Sequence, residues 1–234
     1  MRKTLINVAM IAALAATSSM AMANKAGDII VRAGVINVSP DSGKSTIYAA
    51  GGEVDLGAGA LTASVDSDTQ LGLNFVYFAT DQIAIELLAA TPFKHDLKVH
   101  SGDTTLDLGE TTQLPPTLSA LYYFNNPSEK FQPYVGAGIN YTVFFEEDFD
   151  SGVQGENSVG GLNLTDLKLK NSWGLSAQIG ADYHLDDKWL VNASIRYIDI
   201  DTTASFKAID GTVPGEVKVD IDPMVYMISV GYTF

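Results

Sequence analysis

From Ile29 onward the chain alternates apolar residues with polar or small ones, segment after segment. The clearest stretch spans 172–185. Trp173, Leu175, Ala177, Ile179, Ala181, Tyr183 and Leu185 fall on one parity; Gly174, Ser176, Gln178, Gly180, Asp182 and His184 fall on the other. Successive residues of an extended strand point to opposite faces, whereas a helix would scatter both sets around its circumference. Seven further segments repeat the pattern, near 29–35, 70–77, 83–88, 117–124, 135–141, 191–197 and 226–234. Eight two-faced strands are an even number, as a closed up-and-down antiparallel barrel requires.

Connections alternate in length. Those at 79–82, 125–130 and 186–188 are short; those near 39–69, 93–114, 146–171 and 206–222 are long. Short turns at one end and long loops at the other are the plan of a barrel crossing a bacterial outer membrane. The parity that would face the axis is rich in glycine and small polar residues, which suits a narrow lumen. The apolar parity ends in aromatics (Tyr77, Tyr122, Phe124, Trp173, Tyr183, Trp189, Tyr232, Phe234), as interfacial girdles do. A soluble ligand-binding barrel would point its apolar parity inward and expose charges mid-strand, and almost none occur there. The expected fold is therefore all-β: an eight-stranded antiparallel transmembrane β-barrel with short periplasmic turns and long extracellular loops.

The N-terminus supplies the route to that membrane. Arg2 and Lys3 precede an apolar run over 5–16, interrupted by Asn7, and Ala21-Met22-Ala23 gives a small-x-small cleavage pattern. Residues 1–23 read as a cleaved signal peptide and 24–234 as a single outer-membrane barrel domain. The run is too short for a membrane span, and no later segment is apolar for the ~18 residues a transmembrane helix needs. The closing Tyr232-Thr233-Phe234 looks like the assembly signal that hands bacterial barrels to the outer-membrane assembly machinery. Outer-membrane lipid and lipopolysaccharide are the other expected partners. Nucleic acid is not, because 28 acids against 14 bases give a net charge of -14.

Cofactor and enzyme chemistry is absent from the pattern. There is no cysteine, hence no disulfide, thiolate nucleophile or Cys-ligated metal. No G-x-S-x-G or P-loop occurs, and Gly136-Ala137-Gly138 lacks the third glycine of a dinucleotide fingerprint. Of three histidines, His184 closes a strand, while His95 and His100 share a loop with Asp96 and Asp103 at no metal-site spacing. The expectation is no catalytic residue, no metal and no cofactor. What the alternation does place inside is charge: Arg32, Glu86, Asp182 and Arg196 all face the axis. Two cations and two anions in so narrow a lumen should pair, since isolated buried charge is costly, and form an ionic plug.

Longer strings carry a family likeness. Arg32-Ala33-Gly34, Gln70-Leu71-Gly72-Leu73, Glu86-Leu87-Leu88-Ala89-Ala90-Thr91-Pro92-Phe93, Leu114-Pro115-Pro116-Thr117-Leu118, the run from Pro133 to Tyr141 and Asp199-Ile200-Asp201-Thr202-Thr203 resemble the OmpW family of small outer-membrane barrels. The likeness covers essentially all of 24–234. It implies passage of small hydrophobic compounds: an apolar pocket on the extracellular side, a blocked lower lumen and lateral release into the bilayer. Some members of the family are receptors for bacteriocins or phage, so the alternative is a structural or receptor barrel acting through its loops. The likeness also implies an apolar constriction at Leu88. The family's partner there is a tryptophan, and alignment through Asn192-Ala193-Ser194 puts Arg196 at that position. Either Phe78 or Tyr123 completes the constriction, or its floor is more polar here. Phe144, Phe145 and Phe149, with Leu162, Leu164, Leu167 and Leu169, line the mouth of the pathway or steady a loop. The stretch 165–170 reads as a short helical turn capped by Thr165. Glu146, Glu147, Asp148 and Asp150 read as a solvated acidic run able to meet divalent cations among head groups.

Overall fold

The protein was analysed as a computed structural model that describes residues 24–41, 45–46, 48–49, 52–53, 62–101, 103–154, 163–209 and 211–234. The expected signal peptide and Leu162 lie outside the described residues. Eight strands form a closed wall: β1 (Ile29–Ser39), β2 (Asp68–Phe78), β3 (Ile83–Ala90), β4 (Thr117–Tyr123), β5 (Phe131–Phe149), β6 (Ser172–His184), β7 (Trp189–Ile198) and β8 (Met224–Thr233). Each pairs antiparallel with its neighbours in the chain, and β8 closes on β1 with Ile30 opposite Thr233 and Val38 opposite Val225.

The register keeps like with like. Across β5 and β6, Val135 faces Ile179 while Gly136 faces Gln178, so each rung is wholly outward or wholly inward. The outward set is apolar and uncovered: Ile228 is 72% exposed and Leu175 67%. The inward set includes Arg32, Glu86 and Asp182, each 0% exposed. Apolar area left in water costs ~25 cal/mol per Å². A band this large is stable only in lipid. Aromatic pairs mark its edges. Trp189 meets Tyr232 edge-on at 5.0 Å and Tyr232 meets Phe234 at 4.7 Å; at the other end Tyr141 packs on Trp173 at 4.5 Å.

Side chains pin the short turns. Thr80 Oγ1 accepts the Ile83 N–H at 2.9 Å, Asn126 Oδ1 accepts the Ser128 N–H at 3.0 Å, and Asp186 Oδ1 accepts the Lys188 and Trp189 N–H groups at 2.8 Å. The opposite end differs from expectation, because much of the sequence read as loop is strand. Phe93–Ser101 pairs with Thr104–Leu114, and Asp201–Ala208 with Val213–Asp220, so hairpins carry the wall beyond the aromatic band. Breaks separate these hairpins from the membrane strands at Thr91-Pro92, Pro115-Pro116 and 221–223, ending on Pro223. Proline cannot donate to a ladder, which accounts for these three interruptions; a fourth, at Asp199-Ile200, has no proline. The helical turn expected over 165–170 is instead the strand Thr165–Leu169, laid against Lys207, Ser205 and Ala204 of the neighbouring hairpin. Its alternation buries Leu167 and exposes Asp166 and Lys168, and that tertiary pairing outweighs a weak local cap.

Candidate functional site

The lumen is stacked in three layers between the short-turn end and the extended end. The middle layer holds the four inward charges. Arg32 Nη1 donates to Glu86 Oε2 at 3.1 Å, and Nη2 donates to Asp182 Oδ2 at 2.5 Å and to the Tyr123 hydroxyl at 2.7 Å. Arg196 Nη2 pairs with Glu86 Oε1 and donates to Gln178 Oε1 at 2.6 Å. Two anions and two cations sum to zero, which is how full burial becomes tolerable.

Uncharged donors complete the anions' shells. Asn74 Nδ2 donates to Glu86 Oε2 at 3.0 Å and Gln178 Nε2 to Oε1 at 2.9 Å. Asn192 Nδ2 reaches Asp182 Oδ1 at 2.8 Å and the Tyr134 hydroxyl at 3.0 Å, while the Tyr123 hydroxyl donates to Asp182 Oδ2 at 3.0 Å. Sequence reading missed these helpers. Their inward parity was visible, but nothing in a single chain says which amides lie level with which charges.

The lower layer, near the short turns, is apolar and aromatic: Ile30, Val76, Phe78, Leu121, Tyr123, Tyr134 and Leu190. Tyr123 stands between Phe78 and Tyr134 with centroids 5.0 Å from each. Glycine makes room here. A Cβ on Gly180 would sit 2.5 Å from the Tyr134 ring and one on Gly231 2.6 Å from Leu190.

The upper layer groups Leu88 with Ile36, Phe93, Phe144, Ile198, Val225 and Met227. Leu88 and Phe144 thus share one apolar cluster, but two expectations fail. Phe78 and Tyr123 do not join Leu88, because they end strands running into short turns and lie across the charged layer from it. Phe145 follows Phe144 and takes the opposite face of β5, outside the cluster. Leu88's floor is therefore the ionic layer, with Arg196 in it.

Further out, Phe149, Leu164 and Leu167 pack with Val65, Leu97, Val153 and Ala208 inside the extended wall. The acidic run is dispersed. Glu146 accepts from Thr112 and Glu147 from the Leu169 N–H, both at 3.3 Å, and Asp150 caps the turn Ser151–Val153. His95 faces inward, its Nδ1 2.6 Å from the Asp66 carbonyl and its Nε2 2.8 Å from Gln113 Nε2. Burial pushes its pKa below the usual 6.5, so the ring is neutral, with Nδ1–H donating and Nε2 accepting. His100 Nε2 lies 2.7 Å from Ser64 Oγ; its Nδ1 meets the Thr105 hydroxyl, where a hydrolytic triad would place a carboxylate. Among the described residues, Asp199, Asp201 and Asp222 bring carboxylate oxygens within 4.8 Å of one another. Burial, then Asp220, Asp199 and Asp222, push the Asp201 carboxyl above its usual range.

A family model, described as the OmpW family, matches residues 25–234. Outer membrane protein W of Escherichia coli K12 is 46% identical over 227 residues, covering 96% of this chain and 98% of the relative. Outer membrane protein W of Vibrio cholerae serotype O1 is 43% identical over 236 residues, covering 100% of both. The crystal structure of the outer membrane protein OprG from Pseudomonas aeruginosa has a TM-score of 0.81 to this fold at 42% identity, covering 91% of this chain and 98% of that one. More distant is the dibenzothiophene metabolism operon protein PahQ of Pseudomonas aeruginosa, 27% identical over 206 residues, 87% of each chain.

Proposed function

The chain belongs to the OmpW family of outer-membrane barrels, and from that premise we propose that it is an uptake barrel for small hydrophobic molecules. An apolar solute outside the cell meets a tightly packed sugar leaflet that excludes it. The extended wall offers a sheltered apolar path through that leaflet to the cluster at Leu88 and Phe144. The observation that carries the reading is the order of the layers: an apolar upper lumen lies directly above a neutral, hydrogen-bonded ionic layer. Such a floor stops ions and turns the solute sideways into the bilayer.

Lateral release draws support from the wall itself. Between β3 and β4 the ladder lapses from Leu88 opposite Thr117 to Phe93 opposite Gln113, across the three prolines Pro92, Pro115 and Pro116. The name of the relative PahQ, tied to dibenzothiophene metabolism, fits a fused-ring solute. The chain acts without catalysis in this reading. Tyr232 and Phe234 close β8 as the signal read by the assembly machinery after removal of 1–23, and the barrel's surroundings are outer-membrane lipid and lipopolysaccharide. The test is dibenzothiophene uptake by cells lacking their own related barrel, with and without this chain. Faster uptake with unchanged leakage of small ions is expected; equal uptake would contradict the reading. The alternative, a receptor or structural barrel, rests on the hairpins 93–114 and 201–220 that project beyond the membrane. It requires that trimming them abolish function while lumen substitutions leave it intact.

A further inference from the structure

The wall has a second seam, between β5 and the strand Thr165–Leu169. Thr142 opposite Ser172 is the last rung of the ladder there. Above it no ladder joins residues 143–149 to 165–171, all of them described, until the Leu164 N–H donates to the Val153 carbonyl at 2.8 Å. Side chains bridge the interval. Asn171 Oδ1 accepts the Phe144 N–H at 3.2 Å, and Asn171 Nδ2 donates to the Tyr141 hydroxyl at 3.1 Å. Glu147 Oε1 accepts the Leu169 N–H at 3.3 Å.

Both edges are bent away from regular pairing. On its other side β5 slips register between Phe145 and Asp148, and Thr165–Leu169 slips between Thr165 and Lys168. Within those slips Glu146 has φ 53° and Asp166 φ 58°, left-handed conformations that side chains larger than glycine rarely adopt. Behind the seam are Phe144, Leu167 and Leu169, members of the apolar clusters of the upper lumen. In front and below is the Tyr141–Trp173 pair, with Trp173 72% exposed. An apolar interior, a side-chain closure and an aromatic shelf at the membrane edge therefore lie in line.

We propose that this seam is a second side passage for small apolar solutes between the upper lumen and the outer leaflet, with Glu147 and Asn171 as its latch. The proposal rests on the uptake reading above and concerns a different place in the wall from the β3–β4 lapse. Water at head-group level can replace the latch hydrogen bonds, so opening here disrupts far less than parting β1 from β8, which are paired from Ile30 to Ser39.

The test uses the full chain in cells lacking their own related barrel, with the fluorescent probe N-phenyl-1-naphthylamine. The sequence has no cysteine, so introduced pairs meet no competing thiol. Glu147→Cys/Leu169→Cys ties the seam, and Thr203→Cys/Lys218→Cys ties a rung that is already paired. Oxidation of the first pair lowers uptake to the share carried by the β3–β4 lapse, and reduction restores it; the second pair behaves as wild type. Glu147→Ala/Asn171→Ala, which removes all three latch hydrogen bonds, raises uptake by at least about threefold, the scale of a single one of them. Wild-type uptake by the oxidised seam variant, or by the latch variant, overturns the second passage. Wild-type uptake no faster than barrel-free cells overturns the uptake reading and the passage with it.

Discussion

Arg32 and Glu86, 54 residues apart in the chain, stand 3.1 Å apart at the centre of the barrel with both side chains at 0% exposure. Arg32 is also the only cation paired with Asp182 among the described residues. Arg32→Met therefore strands Asp182 without a counter-charge while Glu86 keeps Arg196. Losing one partner of a buried pair costs ~3–5 kcal/mol, whereas removing both is far milder. Urea unfolding in detergent micelles should show Arg32→Met strongly destabilised and Arg32→Met/Asp182→Leu recovering much of the loss. Equal destabilisation of the two would mean that the charges do not depend on each other.

Leu88 and Phe78 separate packing from passage. Both are buried, but on opposite sides of the ionic layer. Phe78→Ala should weaken the barrel by ~3–5 kcal/mol, as large-to-small core changes do, and leave uptake of an apolar probe unchanged. Leu88→Asp should abolish that uptake in a barrel that still assembles. Parallel unfolding and uptake measurements on the two variants decide the point.

His95 makes the extended wall sensitive to acid. Burial lowers its pKa from 6.5, with Asp66, Asp68 and Asp96 acting in the opposite direction and failing to offset it. The folded state thus binds fewer protons than the unfolded one. Stability from the neutral ring is complete above 6.5 and is lost as the pH falls through the lowered value. Hydrogen exchange at residues 93–97 should be faster at about pH 5 than at about pH 7.5 after correction for intrinsic rates, and the difference should vanish in His95→Gln.

Phe234 lies on the outer face at the short-turn end, where its ring packs against Tyr232. If it serves as a signal, Phe234→Ala should lower the amount of folded barrel in cells. The same variant refolded in detergent should melt close to wild type. A large loss of melting temperature with normal cellular assembly would assign Phe234 to packing instead.

The alternation at 172–185 was enough to read which residues face the axis, because a strand of period two has only two faces and the charges sat on one of them. It was not enough to read height. Phe78 and Tyr123 immediately precede short turns, while Leu88 lies well up a strand leaving one, and that distance from the turns separates them across the ionic layer. Height also depends on the stagger between strands, which hydrogen bonding sets on closure. The partners of Glu86 come from β1, β2, β6 and β7, and no local pattern links those strands. The extended hairpins are not legible in the sequence because Gly109 and Pro214 interrupt its alternation and the strand pairing that overrides them is tertiary. Asp199-Ile200-Asp201 and Asp220-Ile221-Asp222 repeat one pattern whose convergence appears only once their strands pair.

On the proposed route, apolar solutes travel above the ionic layer and leave before reaching it. A diazirine-bearing alkane, photolysed in cells carrying the barrel and mapped by mass spectrometry, tests this directly. Adducts are predicted on the upper layer, at Leu88, Phe144 and Ile198, with none below the charges. Adducts at Phe78, Tyr123 and Leu190 would place the path through the barrel floor and contradict the account.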